Sequence, residues 1–153
     1  MTTFTNVHVR VAEPYEGTSR VALRFTRSVV NMQIPTGTIG AYLLMEHEQE
    51  GARPLYVGRS DTCLRRRLSR HPLRGRATHF VVAPARNSHQ AYAIESYWYH
   101  QYRSAGSAIR NQIHPASPAG TGRRCPFCPE TAIERALSRA LPRPRLSDTR
   151  STS

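Results

Sequence analysis

Gly40-Ala41-Tyr42-Leu43-Leu44-Met45-Glu46 and Pro54-Leu55-Tyr56-Val57-Gly58 are two short apolar runs, each carrying a tyrosine, with the polar stretch His47-Glu48-Gln49-Glu50-Gly51 between them. Apolar runs of this length, bounded by turn residues, read as strands, and a short glycine-containing connection makes them a hairpin. Pairing the two strands sets Tyr42 and Tyr56 side by side.

After Gly58 the pattern changes from strand to helix. The run Asp61-Thr62-Cys63-Leu64-Arg65-Arg66-Arg67-Leu68-Ser69-Arg70-His71-Pro72 offers Asp61 or Thr62 as an N-cap, spaces Leu64 and Leu68 for an inward stripe, and stops at Pro72. His79 to Ala83 is apolar and β-branched enough for a third strand. Asn87 opens a second helix, with Gln90 at the capping-box position. That helix runs through Ala91, Ile94, Tyr97, Trp98 and Tyr102 to about Ser104, and Gly106 suits its end.

Upstream, Val7, Val9 and Val11 alternate with polar residues, as do Val21, Leu23 and Phe25, on either side of Pro14-Tyr15-Glu16-Gly17-Thr18. This predicts a strand pair with one apolar face. Its other face carries Arg10, Arg20, Arg24 and Arg27, which either touch nucleic acid or are simply solvated. Val29 to Ile34 is expected to continue extended up to Pro35-Thr36-Gly37. Downstream, Pro129-Glu130-Thr131 opens a last helix reaching about Leu141, and the Pro, Arg and Ser residues beyond it show no periodicity. The expected organisation is an N-terminal β extension over 1–36, a core over 37–115, a cysteine-containing segment with a helix over 116–141, and a disordered tail over 142–153.

A chain of 153 residues, 39% hydrophobic and 21% charged, has enough apolar content for one main core. No apolar run approaches the roughly 18 residues needed to cross a bilayer. Met1-Thr2-Thr3-Phe4-Thr5-Asn6 lacks a basic start followed by an apolar segment, so a cytoplasmic, membrane-free protein is expected. The net charge is +12, and all 22 basic residues are arginines. Such a field attracts a polyanion, with nucleic acid the leading partner. The absence of lysine excludes Schiff-base and lysine-general-base chemistry.

In order, Gly-Ala-Tyr, Leu-Tyr-Val-Gly, Leu-x-x-Arg-Leu-x-x-x-His, a long helix with an inward glutamate and a loop asparagine closely resemble the GIY-YIG nuclease superfamily over about residues 37–115. Ala41 stands where isoleucine is usual. The resemblance implies an α/β (α+β) fold with a small central antiparallel three-stranded sheet flanked by helices, elaborated here by N-terminal strands and a C-terminal helix. It also implies a metal-dependent DNA endonuclease of restriction, repair or mobile-element type. Hydrolysis of a phosphodiester needs an activated water, a divalent cation and charge stabilisation on the departing oxygen. The resemblance assigns Tyr42 or Tyr56 as proton acceptor, the other orienting water or phosphate. Arg67 is assigned to the scissile phosphate, Glu95 to magnesium or manganese, and Asn111 to support of the site. Glu95 is also the only acid between Asp61 and Glu130. His71, one helical turn beyond Arg67, is placed to relay protons or contact phosphate. Arg59 is a phosphate contact, and Arg65, Arg66, Arg70, Arg74 and Arg76 are general DNA clamps. The alternative is a catalytically inactive nucleic-acid-binding module on the same fold, which has no chemical reason to hold Tyr42, Tyr56, Arg67, Glu95 and Asn111 together.

One further motif is Cys125-Pro126-Phe127-Cys128. A Cys-x-x-Cys is half of a zinc site and requires two more ligands. By type, His114 and Cys63 are the nearest, with His100 on the second helix as a substitute. A redox pair and plain buried thiols are the competing readings, whereas structural disulfides do not suit a reducing compartment.

Overall fold

The computed structural model describes residues 7–8, 21–49 and 51–128. Its centre is the hairpin of β3 (Gly40–Glu48) and β4 (Gly51–Ser60), preceded by β1 (Val7–His8), β2 (Val21–Arg24) and helix α1 (Arg27–Gln33). Helix α2 (Leu64–Ser69), strand β5 (His79–Pro84) and helix α3 (Ser88–Ser104) follow. All strand pairs are antiparallel, in the order β1-β2-β5-β3-β4.

The architecture is mixed α/β with an antiparallel sheet and three helices, as expected in outline, but the sheet is not three-stranded. β2 pairs with β5, Leu23 opposite Phe80, making a fourth strand, and the two-residue β1 extends that edge. The upstream strands thus continue the central sheet beyond β5.

β3 lies between β5 and β4, with helices over both of its faces, which explains why Gly40 through Met45 are buried without interruption. On one face Ala41, Leu43, Met45, Val57, Val81 and Ala83 meet Ile94 and Trp98 of α3. On the other, Tyr42, Leu44 and Phe80 meet Val30 and Ile34 from the α1 region and Leu64 and Leu68 of α2. The register shifts after Leu44, so that Leu55 is the extra residue of a bulge. Leu55 and Val57 therefore fall into different packing layers although two residues apart.

Val29 to Ile34, expected to be extended, is mostly helical. Thr26 caps α1 by accepting the Val29 N–H at 3.2 Å, and Val30 and Ile34, four apart, present one buried stripe. Burial at helical spacing outweighs the weak strand preference of β-branched residues. α2 starts as the sequence suggests, with a different cap: the Ser60 hydroxyl accepts the N–H groups of Thr62 and Cys63. Asn87 caps α3 by accepting the Gln90 N–H at 2.9 Å. At its other end Gly106 adopts φ 75°, with Ser107 N–H donating to Tyr102 and Gly106 N–H to Arg103. That is a Schellman closure, and it turns the chain back along the helix. The proposed last helix from Pro129 and the tail beyond Pro142 lie outside the described residues, as does most of the first strand pair. No helix among the described residues is long and apolar enough to cross a membrane.

Candidate active site

The sequence-predicted residues gather where β4 leads into α2. Tyr42 faces Gly58 and Tyr56 faces Leu44, so the two tyrosines are diagonal neighbours on one face, not a directly opposed pair. Their rings stack with centroids 6.3 Å apart. Gly58 permits this, because a Cβ there would collide with the Tyr42 hydroxyl. Gly40 is needed for a similar reason: its Cβ would overlap the Ala83 carbonyl oxygen and Leu64. Close approach, with no unusual φ, fixes both motif glycines.

The tyrosines differ in access. Tyr42 is fully buried, and among the described residues no group meets its hydroxyl in good hydrogen-bond geometry, although the Arg67 guanidinium stands near. Burial, then the neighbouring Tyr56, push its pKa well above the usual phenol value, with Arg67 opposing. Tyr56 is only partly buried and lines a cleft of about 610 Å³. Burial and the Glu95 charge raise its pKa too, again against Arg67.

His71 sits edge-on to both rings, at 5.5 Å from Tyr42 and 5.1 Å from Tyr56. Its Nδ1 accepts the Leu73 N–H at 3.1 Å, leaving the proton of the neutral ring on Nε2. Burial and the Arg67 charge hold its pKa down to about 4. His71 is thus a neutral hydrogen-bond donor at physiological pH.

Arg67 links the two halves of the site. It lines the tyrosine cleft together with Arg66, Arg70 and Arg110, and it lines an adjoining hollow of about 390 Å³ with Glu95, Asp61, Ser60 and Thr62. It has no carboxylate salt bridge among the described residues.

Arg59 is the opposite case. Expected as a phosphate contact, it instead donates through Nη1 to Glu95 at 2.5 Å and through Nε to Asp61 at 2.9 Å, with its guanidinium over the Tyr92 ring. Burial works against its charge, but the two carboxylates outweigh that and raise its pKa. Arg59 orients Glu95 and leaves little charge for a phosphate. Even so, burial brings the Glu95 carboxyl up to about 7, with Arg59 opposing and Asp61 reinforcing the rise. A single guanidinium shared by two carboxylates does not fully compensate the loss of water.

Asn111 grips the open edge of β4. Its Oδ1 accepts the Val57 N–H at 2.9 Å and its Nδ2 donates to the Val57 carbonyl at 2.6 Å, while Arg110 N–H donates to Leu55. The side chain replaces a missing neighbouring strand at the residue between Tyr56 and Gly58. Its part in the site is positional.

The remaining arginines divide. Arg66 and Arg70 face the cleft, whereas Arg65 is bonded to Asn31 and Thr36, Arg74 to the Ser69 carbonyl, and Arg76 to Glu46 at 3.4 Å. Of the proposed zinc ligands, Cys63 stands apart at the start of α2, where its Sγ accepts the Gly37 N–H at 3.3 Å. His100 takes its place: ligand atoms of His100, His114 and Cys128 lie within 4.8 Å of one another, and Cys125 Sγ is 3.5 Å from His100 Nε2.

No family model, curated protein or solved structure matches the chain. The site's chemistry therefore rests on its own geometry. Glu95, Asp61, Ser60 and Thr62 supply the oxygen donors of the smaller hollow, whose wall is completed by Arg59 and Arg67. Such a donor set fits a hard cation like magnesium or manganese. Asp61, Tyr92 and Arg110 were not singled out as site residues by sequence. Asp61 was detectable, being two residues beyond Arg59 and so on the same side of an extended chain.

Proposed function

We propose that this chain is a metal-dependent DNA endonuclease. The observation that carries the proposal is the convergence of Tyr56 from β4, Arg67 from α2, His71 from the turn after it and Glu95 from α3 on adjoining hollows sharing Arg67. Arg66, Arg70 and Arg110 on the cleft walls suit a polyanionic backbone, and the net charge of +12 suits its capture.

Arg67 grips the scissile phosphate as a planar fork, its charge not already engaged by a carboxylate. His71 donates from Nε2 to a phosphate oxygen. Tyr56, on the cleft wall, is the tyrosine that orients the attacking water and receives its proton, while Tyr42 packs behind it. To act as a base Tyr56 must first lose its own proton, which Arg67 favours and the Glu95 charge opposes. Glu95, with Asp61 beside it, would hold magnesium or manganese, which supplies positive charge to the phosphate oxygens. Arg59 and Asn111 keep Glu95 and β4 in place.

The test is cleavage of supercoiled plasmid, linear duplex and branched DNA, with magnesium or manganese and with chelator. Wild type is expected to nick at least one substrate, and Tyr56→Phe and Glu95→Gln to bind it without nicking. Salt-sensitive binding with no cleavage of any substrate under either metal overturns the enzyme reading in favour of a binding module.

A further inference from the structure

On the same helix as Glu95, His100 meets His114 from the following segment and the Cys125–Cys128 knuckle in a second cluster that the proposed hydrolysis does not use. His100 Nε2 and His114 Nε2 face each other at 3.0 Å, and Cys125 Sγ stands 3.5 Å from His100 Nε2. Cys128 closes the group. With metal–sulfur and metal–nitrogen bonds of about 2.3 and 2.0–2.1 Å, a tetrahedral site has N–N edges of about 3.3 Å and S–N edges of about 3.6 Å. The His100–His114 and His100–Cys125 spacings match those edges to within a few tenths of an ångström, and the ligand atoms of His100, His114 and Cys128 lie within 4.8 Å of one another.

We infer that His100, His114, Cys125 and Cys128 form a structural zinc site that staples the 105–128 segment onto α3. Three features support it beyond the spacing. Phe127, inside the Cys-x-x-Cys, packs edge-on against Tyr97 of α3 at 5.2 Å, so the knuckle is seated on the helix by a contact that needs no metal. His114 Nδ1 lies 2.7 Å from the Pro115 carbonyl, which fixes its proton there and leaves the Nε2 lone pair turned into the cluster. The set is two nitrogens and two sulfurs with all four positions filled, which selects zinc over magnesium and marks a closed site, not one that activates water.

Loading proceeds as Zn²⁺ displaces a proton from each thiol, two per metal, with both histidines neutral; no oxidant or reductant is required. The staple spans Asn111, three residues before His114, and its helical anchor His100 lies five residues beyond Glu95. It thereby braces both the β4 grip and the helix that presents the carboxylate.

The experiment is metal content of the purified full chain, joined to cobalt substitution. About one zinc per chain is expected, and the cobalt form should show the intense visible bands of a tetrahedral sulfur–nitrogen site. Cys128→Ser and His114→Gln should each lose most of the metal on dialysis against a weak chelator, while Cys63→Ser and Glu95→Gln keep it. Retention in the last variant separates this inference from the nuclease proposal, since loss of nicking with zinc intact concerns only the oxygen site. If the ligand variants do not fold, the wild-type cobalt spectrum decides. Folded wild type without zinc and without a tetrahedral cobalt spectrum, or with a Cys125–Cys128 disulfide in its place, overturns the assignment.

Discussion

Two sites on one helix carry opposite chemistries. Near its middle α3 presents Glu95 to a hollow walled by oxygens and arginines, and five residues on it presents His100 to nitrogen and sulfur. That is roughly one and a half turns, or about 7.5 Å along the axis. The sulfur–nitrogen cluster, as proposed, would supply four ligands by itself and be complete without substrate. The oxygen site offers two carboxylates already shared with Arg59, so it has room and charge for a cation only when other donors join. A self-sufficient donor set belongs to structure, and an incomplete one to chemistry.

Breaking the oxygen site alone should give the largest effect. Glu95→Gln is expected to lower nicking by a factor on the order of 10² to 10³, the scale of losing one charge-stabilising group, with zinc content unchanged. Loss of both together would mean the two are one site.

The next effect is on pH. Because the Glu95 carboxyl is brought up to about 7 and Tyr56 must also lose a proton from a raised pKa, nicking should rise steeply as pH climbs toward 7 and keep rising, about tenfold per unit, above it. Stability moves the other way. The folded chain holds a proton on Glu95 between the ordinary value of 4.5 and about 7 that the unfolded chain has lost, so this contribution fades as pH rises through that window. His71, held down to about 4, contributes in the reverse sense: its share is present above 6.5 and lost as pH falls toward 4. Denaturation of wild type and Glu95→Gln from pH 4.5 to 8 isolates the first term. An equal slope in both proteins would show that Glu95 ionises normally. His71 should add no inflection near 6.5 to the activity profile.

The two sites were not equally legible in the sequence. Tyr42, Gly58, Arg67 and Glu95 are spaced by local rules of strand alternation and helical period, so their elements could be read off; the structure brings Arg67 and Glu95 to one hollow and packs the buried Tyr42 against Gly58. Local rules say little about what pairs across long loops. β2 joined to β5 and the two helical valines of α1 were missed because burial against distant strands decided them. For the same reason Cys63 was set beside Cys125 and Cys128 by residue type, where the fold turns His100 toward them. The clue available was the flank: His100 and His114 bracket the loop that Gly106 folds back. Arg59 illustrates a third limit, since its acidic partner Glu95 comes from another element altogether.

Asn111 tests whether the sites communicate. Asn111→Ala leaves the Val57 N–H and carbonyl of a buried edge without partners and should cost about 1–3 kcal/mol, read as a lowered denaturation midpoint. Nicking should fall several-fold as Tyr56 loosens, with zinc retained. Asn111→Asp, which keeps an acceptor and loses the donor, should fall between. An unchanged midpoint for Asn111→Ala would mean that the grip on β4 contributes nothing.

The smallest expected change discriminates most finely between the tyrosines. Tyr42→Phe removes a buried hydroxyl that has no well-formed hydrogen bond among the described residues. Its stability should therefore stay within about 1 kcal/mol of wild type, or rise, since deleting an unsatisfied buried polar group removes a desolvation penalty. If Tyr56 is the group that meets the water, Tyr42→Phe keeps most of its nicking and Tyr56→Phe keeps almost none. Were the loss to fall on Tyr42→Phe instead, with Tyr56→Phe still active, the buried hydroxyl would have to reach the substrate. That requires β3 and β4 to part at Gly58 on binding, a motion that amide exchange at Val57 and Gly58 would register in the complex.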